Sequence, residues 1–122
     1  MLNVTLSEFA TLVEAQATAC KQGDYIMVML GAVECSYCEI MKPIVVGMEP
    51  WLNEHGIKLY YLEITGVPPL FAPMALPSLV CFDRGGRAWE GLGFMEKPEV
   101  IQDSLNRYLL NGAGDSRTLW GT

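Results

Sequence analysis

A strand–helix–strand pattern in the first half of the chain most restricts how it can fold. Residues 25–30 form a continuous apolar run, which is typical of a strand buried on both faces of a sheet. Apolar residues then recur at helical spacing over 36–53, which predicts a helix. Residues 57–64 have the alternating pattern of a second strand, in which successive side chains point to opposite faces of a sheet. Because strands joined through one helix run parallel with a right-handed crossover, the pattern predicts an α/β domain whose central strand is 25–30.

The segments on either side of this unit predict a helix and a β-hairpin. Thr5 and Glu8 have the spacing of a capping box, and apolar residues follow at helical spacing until Gly23. Residues 79–82 and 87–90 resemble strands and flank a turn whose glycines can adopt positive φ values. We therefore expect a first helix after Thr5 and an antiparallel hairpin late in the chain.

The other segments predict a loop, a closing helix and a tail. Residues 65–77 are rich in proline and glycine, which predicts a loop. Pro98 stands near the start of an amphipathic pattern that continues to Leu109. Residues 111–122 carry three glycines and little periodicity. The sequence thus predicts one domain over residues 1–110 followed by a flexible C-terminal tail, 111–122.

The composition of the chain limits its compartment and its partners. Its 122 residues suit one domain, and its formal net charge of -6 is unfavourable for binding nucleic-acid phosphates or an anionic membrane. No apolar run approaches the roughly 18 residues of a membrane span, and residues 1–8 lack the features of a secretory signal. We expect a cytoplasmic protein, with no nucleic-acid or membrane partner, whose cysteines are thiols at rest.

Cys35 and Cys38 form a Cys-x-x-Cys pair where the central strand gives way to the helix. Unpaired backbone N–H groups and the helix dipole favour negative charge at a helix start, so the first cysteine ionises more readily than a free thiol. Two intervening residues place the second sulfur one helical turn further on, close enough to attack the first. This spacing favours Cys35 as the attacking thiolate and Cys38 as the resolving thiol.

A structural disulfide or half of a zinc site could use the same spacing. A zinc site needs about four ligands, and Cys20, Cys81 and the single histidine, His55, are scattered without ligand spacing. Cys20 and Cys81 lie in predicted helix and strand, which favours inert buried thiols. We therefore favour redox chemistry, with no metal and no cofactor besides the redox-active disulfide Cys35–Cys38.

Residues beyond the two cysteines match a known family. Pro43 follows Cys38 by five residues, Pro77 directly precedes a predicted strand, and Gly85 and Gly93 follow Pro77 at the family's spacings without a gap. Over roughly residues 7–110 the chain resembles the thioredoxin family. The resemblance implies a three-layer α/β/α fold with a central mixed sheet of four to five strands flanked by helices. It also implies a thiol–disulfide oxidoreductase that reduces protein disulfides.

The resemblance further implies a site and its partners. Pro77 matches the family's cis-proline, and such a bond would let the Leu76 backbone pair with an extended substrate. The partners would be disulfide-containing protein substrates and an external reductase or thiol donor, with the chain acting as a monomer. Cys35 and Cys38 would be the catalytic residues, and the substrate-binding residues would be Ser36, Tyr37, Leu76, Pro77, Leu92 and Gly93.

Three positions near the cysteines depart from the family pattern or add charge to it. Glu34 replaces the tryptophan that precedes the first cysteine, and Met29 replaces a buried aspartate in the central strand. The carboxylates of Glu34 and Glu39 should raise the pKa of the thiols, while Pro43 should kink the helix. Without an acid at Met29, Cys38 needs water or a surface carboxylate such as Glu39 or Glu63 to take its proton. We expect an ordinary or slow reductase more than a strong oxidant.

Two other functions compete with protein-disulfide reduction. Tyr37 in the third motif position is similar to glutaredoxins, which act with glutathione, but residues 31–33 and 75–77 lack that family's lysine and its Thr-Val-Pro. Glutathione is anionic, and Glu34 and Glu39 offer it no positive charge. The absence of the family's tryptophan and aspartate is also compatible with a non-catalytic module that has the thioredoxin fold and binds partners without catalysing disulfide exchange.

Overall fold

A computed structural model describes residues 1–19, 25–33, 35–63, 76–83, 86–107 and 117–120. These residues form one mixed sheet with helices on both faces. The helices are α1 (Leu6–Ala19), α2 (Ser36–Gly47), α3 (Glu49–Glu54) and α4 (Pro98–Leu105). The strands are β1 (Leu2–Asn3), β2 (Tyr25–Gly31), β3 (Ile57–Glu63), β4 (Ser78–Asp83), β5 (Gly86–Leu92) and β6 (Arg117–Trp120).

The sheet has the strand order β1-β3-β2-β4-β5-β6 and places β2 near its centre. β2 pairs parallel with β3 and antiparallel with β4, and β4 pairs antiparallel with β5. Within this register, Met29 lies between Tyr61 on one side and Leu79 on the other. The predicted parallel pair, the predicted hairpin and the central place of the 25–30 strand are confirmed.

Each face of the sheet has its own hydrophobic core. Side chains alternate along a strand, so β2 sends Met27 and Met29 to one core and Val28 to the other. The first core is closed by apolar residues of α2, α3 and α4, and the second by α1. The buried indole N–H of Trp89 donates a 2.9 Å hydrogen bond to Ser104 Oγ, which ties β5 to α4. This arrangement is the predicted three-layer α/β/α architecture.

The first helix begins as the capping-box pattern predicts. The backbone N–H of Thr5 donates to Glu8 Oε1 at 3.0 Å, and the backbone N–H of Glu8 donates to Thr5 Oγ1 at 3.1 Å. The backbone hydrogen bond from Thr5 stabilises the carboxylate and holds the pKa of Glu8 below its usual value.

The predicted helix over 36–53 is wrong in one respect, because it is two helices. α2 runs through Pro43 and ends at Gly47, and α3 begins at Glu49 with Pro50 in its first turn. The interruption is therefore at Met48. Pro50 has no N–H, so a continuous helix would lose the hydrogen bond to the carbonyl four residues earlier and would clash with it.

Within the described residues the sheet has six strands, the predicted four and two more. The two additional strands are β1, which pairs parallel with β3, and β6, which pairs parallel with β5. Residues 117–120 thus belong to the sheet, and the prediction of a loose tail is wrong for them. Both segments are short, and neither shows a periodicity that identifies a strand before its neighbour is known.

Some predictions lie outside the described residues. These are most of the 65–77 loop, the turn glycine Gly85, and the chain from residue 108 to 116. α4 has Pro98 in its first turn, as predicted. None of the helices within the described ranges is long and apolar enough to cross a membrane.

Gly47→Ala should stabilise the protein by about 0.4–1 kcal/mol. Gly47 is exposed in the last turn of α2, and a Cβ there would meet no atom within 4 Å, so alanine lowers the entropy of the unfolded chain at no packing cost. Urea unfolding measures the change. Gly91→Ala is the matched control of opposite sign, since its Cβ would lie 2.7 Å from the buried Trp89 ring. Equal effects from both substitutions would contradict this account.

Candidate functional site

The start of α2 places Cys35 as the N-cap residue. Cys35 has an extended backbone (φ -103°, ψ 103°), and its Sγ accepts a 3.2 Å hydrogen bond from the backbone N–H of Cys38. The carbonyl of Cys35 accepts from the N–H of Glu39 at 3.2 Å. The N–H of Cys38 would stabilise a thiolate at position 35 in the same way, as an N-cap oxygen is stabilised in other helices.

Cys35 and Cys38 are joined by a disulfide, with their Cα atoms 5.2 Å apart. The two sulfurs differ in access, because Cys35 is partly exposed whereas Cys38 is fully buried. A molecule arriving from solvent can therefore reach the first cysteine and not the second. The predicted spacing of one helical turn brings the two sulfurs together, as the resolving step requires.

The loop before β4 lies at the same end of the sheet as the cysteines. Ser78 pairs with Leu30 near the end of β2, so Pro77 lies next to the segment that leads to Cys35. The Leu76–Pro77 peptide bond is cis. The carbonyl of Pro77 accepts a 2.9 Å hydrogen bond from the N–H of Gly93, whose φ of 91° suits glycine. Two of the predicted substrate-binding residues, Pro77 and Gly93, are thus directly connected.

The other predicted substrate-binding residues divide into exposed and buried ones. Ser36 and Tyr37 are exposed in the first turn of α2, and the Tyr37 ring lies 5.1 Å from the ring of Phe94. Leu76 is half-buried and packs against the α1-side core. The side chain of Leu92 is buried, so it supports the sheet and offers no surface to a substrate.

Three large apolar side chains close to Cys35 in the chain are exposed to solvent. Val33, Tyr37 and Ile40 expose 60%, 58% and 51% of their surface. Exposed apolar side chains that cluster around a reactive group are typical of a surface that binds another molecule. Sequence reasoning missed Val33 and Ile40, because an apolar residue beside a predicted strand or on a helix is assigned to the core until the packing is known.

The residues predicted to modulate the thiols have different surroundings. Met29 is fully buried in the α2-side core, and Pro43 is exposed on α2. Glu39 is exposed, and its carboxylate forms a 3.0 Å ion pair with the ammonium of Lys42. The Glu39 charge is therefore partly balanced, which weakens its predicted effect on the cysteines. Glu34 lies outside the described residues.

Lys42 and Tyr61 form a second feature of the site that sequence reasoning missed. The Lys42 ammonium lies 4.3 Å from the centroid of the Tyr61 ring, and the Glu39 carboxylate raises the pKa of Lys42 through its hydrogen bond. Burial raises the pKa of Tyr61, and the nearby Lys42 charge opposes this effect. The spacing of Glu39 and Lys42 could have indicated their ion pair, but only the packing of α2 on β3 brings Tyr61 to them.

Two cysteines, Cys20 and Cys81, lie outside the Cys35–Cys38 pair. Cys81 is fully buried in β4, as predicted, and burial raises the pKa of its thiol far above the usual value, which favours an inert thiol. Cys20 lies outside the described residues. Among the side chains that the structure describes, no group of three or more histidine, cysteine or acidic residues could hold a metal ion.

Comparison with known proteins identifies the fold. The sequence matches no protein-family model, and no curated protein is recognisably similar to it in sequence. The structure is similar to thioredoxin NaTrxh from Nicotiana alata, with a TM-score of 0.69 and 13% identity over 87% of this chain and 91% of that one. It is also similar to mitochondrial thioredoxin 3 from Saccharomyces cerevisiae in its oxidised form (TM-score 0.65, 17% identity, 88% and 94% covered). The third similar structure is Plasmodium falciparum thioredoxin, with a TM-score of 0.67 and 13% identity over 88% of this chain and 99% of that one.

These three structures are all thioredoxins, and each is covered almost completely. The chain therefore has the thioredoxin fold, and the resemblance inferred from the sequence motifs is confirmed at the level of the fold. A Cys-x-x-Cys disulfide at a helix start on this fold supports thiol–disulfide oxidoreductase chemistry in general.

Proposed function

We propose that this chain, a protein with the thioredoxin fold, reduces disulfide bonds in other proteins. The observation that supports this most is the unequal access to the two sulfurs. Cys35 is partly exposed at the start of α2, and Cys38 is buried behind it. A reductase needs one thiolate that can attack the substrate disulfide and a second thiol that can reach only the sulfur of the first cysteine.

The reaction consists of two thiol–disulfide exchanges. The Cys35 thiolate attacks one sulfur of the substrate disulfide, which forms a mixed disulfide and releases the other substrate sulfur as a thiolate. Cys38 then loses its proton to solvent and attacks Cys35 Sγ. The bond between Cys35 and the substrate breaks, its electron pair leaves with the second substrate thiolate, and the Cys35–Cys38 disulfide forms. An external reductase or dithiol returns two electrons and two protons.

The surface around Cys35 suits an extended protein segment better than a small anionic thiol. The exposed apolar side chains of Val33, Tyr37 and Ile40 can contact apolar residues beside a substrate disulfide. The Lys42 ammonium is paired with Glu39, so it offers little free positive charge to the carboxylates of glutathione. These contacts support protein disulfides as the substrate class.

The surroundings of the cysteines also support reduction as the direction. A strongly oxidising pair needs a greatly stabilised thiolate at Cys35. In the described part of the site, that sulfur accepts a single backbone hydrogen bond, from Cys38, and the Lys42 ammonium further along α2 is paired with Glu39. We propose moderate stabilisation of the thiolate, as in a thioredoxin-type reductant.

The reduction potential of the Cys35/Cys38 pair tests this function. Equilibrated against glutathione redox buffers, the pair should have a potential near about -270 mV, and the reduced chain should catalyse the reduction of insulin by dithiothreitol. A variant with both cysteines replaced by serine is the control for the insulin assay. A potential above about -180 mV would indicate an oxidant, and activity that requires glutathione would indicate a glutaredoxin-like enzyme.

A binding module would give a different result. In that case the chain lacks insulin reductase activity, and the variant without Cys35 and Cys38 binds protein partners as well as the natural chain does. That combination would overturn the proposed function.

A further inference from the structure

Tyr61 carries a buried hydroxyl that the reaction described above does not use. Only 4% of the residue is exposed, and its Oη is fully buried without a hydrogen-bond partner among the described residues. A buried hydroxyl without a partner is costly, so such a group in a native protein calls for an explanation, and a redox or catalytic role is one of them.

The strand register places this hydroxyl at the end of the sheet that carries the cysteines. Tyr61 lies opposite Met29 in the parallel pair β2/β3, and its ring extends toward Gly31, two residues further along β2. A Cβ added to Gly31 would lie only 2.9 Å from Tyr61 Cε2 and closer still to the hydroxyl oxygen. The hydroxyl is thus beside the backbone of Gly31, four residues before Cys35.

The first turns of α2 cover the same region. The Lys42 ammonium lies 4.3 Å from the centroid of the Tyr61 ring, and Lys42 is four residues after Cys38, so the two lie on the same side of α2. Because Cys38 is fully buried and α2 packs on this face of the sheet, its sulfur points inward as well. An ammonium can only donate, so any hydrogen bond between these side chains runs from Lys42 to the hydroxyl oxygen and leaves the hydroxyl hydrogen of Tyr61 unused.

We propose, on the basis of the dithiol function above, that the Tyr61 hydroxyl donates a hydrogen bond to Cys38 Sγ once the disulfide is reduced. A disulfide sulfur is a poor acceptor, whereas a thiolate is a charged acceptor that a buried donor stabilises strongly. The hydroxyl would therefore lack a partner in the oxidised protein and gain one in the reduced protein. Tyr61 would assist Cys38 in place of the buried acid that Met29 does not provide.

This hydrogen bond leaves the proton and electron balance of the resolving step unchanged. The proton of the Cys38 thiol goes to solvent, and Tyr61 keeps its own proton because burial raises its pKa. The Cys38 electron pair forms the bond to Cys35 Sγ, and the substrate thiolate leaves. The charged groups that act on Tyr61 are Lys42 and Glu39 from α2 and Glu63 from β3.

Tyr61→Phe tests the proposal, because it removes the hydroxyl and keeps the ring. In a Cys35→Ser background, where Cys38 is a free thiol, NMR of 13Cβ-labelled cysteine reports the pKa of Cys38 directly. We expect Tyr61→Phe to raise that pKa by about one unit, the effect of losing a hydrogen bond to a charged group. Tyr60→Phe is the matched control, since Tyr60 packs in the core on the opposite face and should leave the pKa unchanged.

A second measurement separates this role from a structural one. With Cys35 present, release of substrate from the mixed disulfide at pH 7 should be about three- to fourfold slower in Tyr61→Phe, because the thiolate fraction falls tenfold while the thiolate becomes more nucleophilic. The oxidised variant should unfold at the same or a higher urea concentration. An unchanged Cys38 pKa, or an equal shift in Tyr60→Phe, would overturn the proposal. If the Tyr61 proposal fails in this way but the natural chain still reduces insulin, the proposed function stands. If the natural chain does not reduce insulin, the proposed function is rejected, whatever the pKa of Cys38.

Discussion

Replacing Cys35 by serine should lower the rate of insulin reduction to that of dithiothreitol alone, a loss of about three orders of magnitude or more. The expected loss is this large because a serine hydroxyl does not ionise near neutral pH and cannot form the mixed disulfide. The N-cap position of residue 35 is compatible with serine, whose oxygen can accept the N–H of Cys38, so the fold should survive. Turbidity of the precipitating insulin chain gives the rate.

Replacing Cys38 by serine should give a different failure. Cys35 can still attack, but nothing resolves the product, so stable mixed disulfides with substrate should accumulate and be visible on non-reducing gels. Cys81→Ala is the control, because that buried thiol has a strongly raised pKa and takes no part in exchange. Retained turnover in Cys35→Ser, or trapping by Cys35→Ser in place of Cys38→Ser, would contradict the assigned order of attack.

Met29→Asp should destabilise the oxidised protein at pH 7, and keeping the buried carboxyl protonated should contribute up to about 4 kcal/mol of this, in addition to the loss of packing. Met29 is fully buried between Tyr61 and Leu79, so an aspartate there would be desolvated and its pKa raised. Keeping it protonated at pH 7 costs about 1.36 kcal/mol for each pH unit above its unperturbed value near 3.9. Such a cost is a large part of the roughly 5–15 kcal/mol that stabilises a typical domain.

The sign of the pH dependence distinguishes this effect from loss of packing. A carboxyl group with a raised pKa in the folded state binds its proton more tightly there, so the variant should lose stability as the pH rises from about 4 to 7. Met29→Leu, which keeps an apolar side chain of similar volume, should cost less than about 1.5 kcal/mol at either pH. Urea unfolding at both pH values measures these differences. Equal stability of Met29→Asp at both values would mean that the site can hold an ionised acid.

Local patterns predicted the elements of the fold well. The apolar run of β2, the capping box of Thr5 and Glu8, and Pro98 at the start of α4 each lie where expected. These patterns report interactions within one segment or between its faces. The break at Met48 is also visible in the sequence, because Pro50 has no N–H and cannot continue the preceding helix.

Features that depend on contacts between distant segments could not be predicted from the sequence. β1 has two residues and β6 has four, and each is a strand only because a neighbouring strand supplies hydrogen-bond partners. The exposure of Val33 and Ile40 is likewise a property of the assembled surface. Burial depends on which element covers a side chain, and the sequence of a single segment does not show this.

The sequence by itself indicated the Cys35–Cys38 pair and its place at a helix start, because the two cysteines owe their geometry to one helical turn and to the strand that precedes it. Only the tertiary structure decided what surrounds the pair. It places Lys42 over the Tyr61 ring, joins Pro77 to Gly93, and brings the Tyr61 hydroxyl beside Gly31. The physical reason is that the chemistry of a thiol pair is local, whereas the groups that tune it come from strands and loops distant in the chain, which meet only when the sheet is formed.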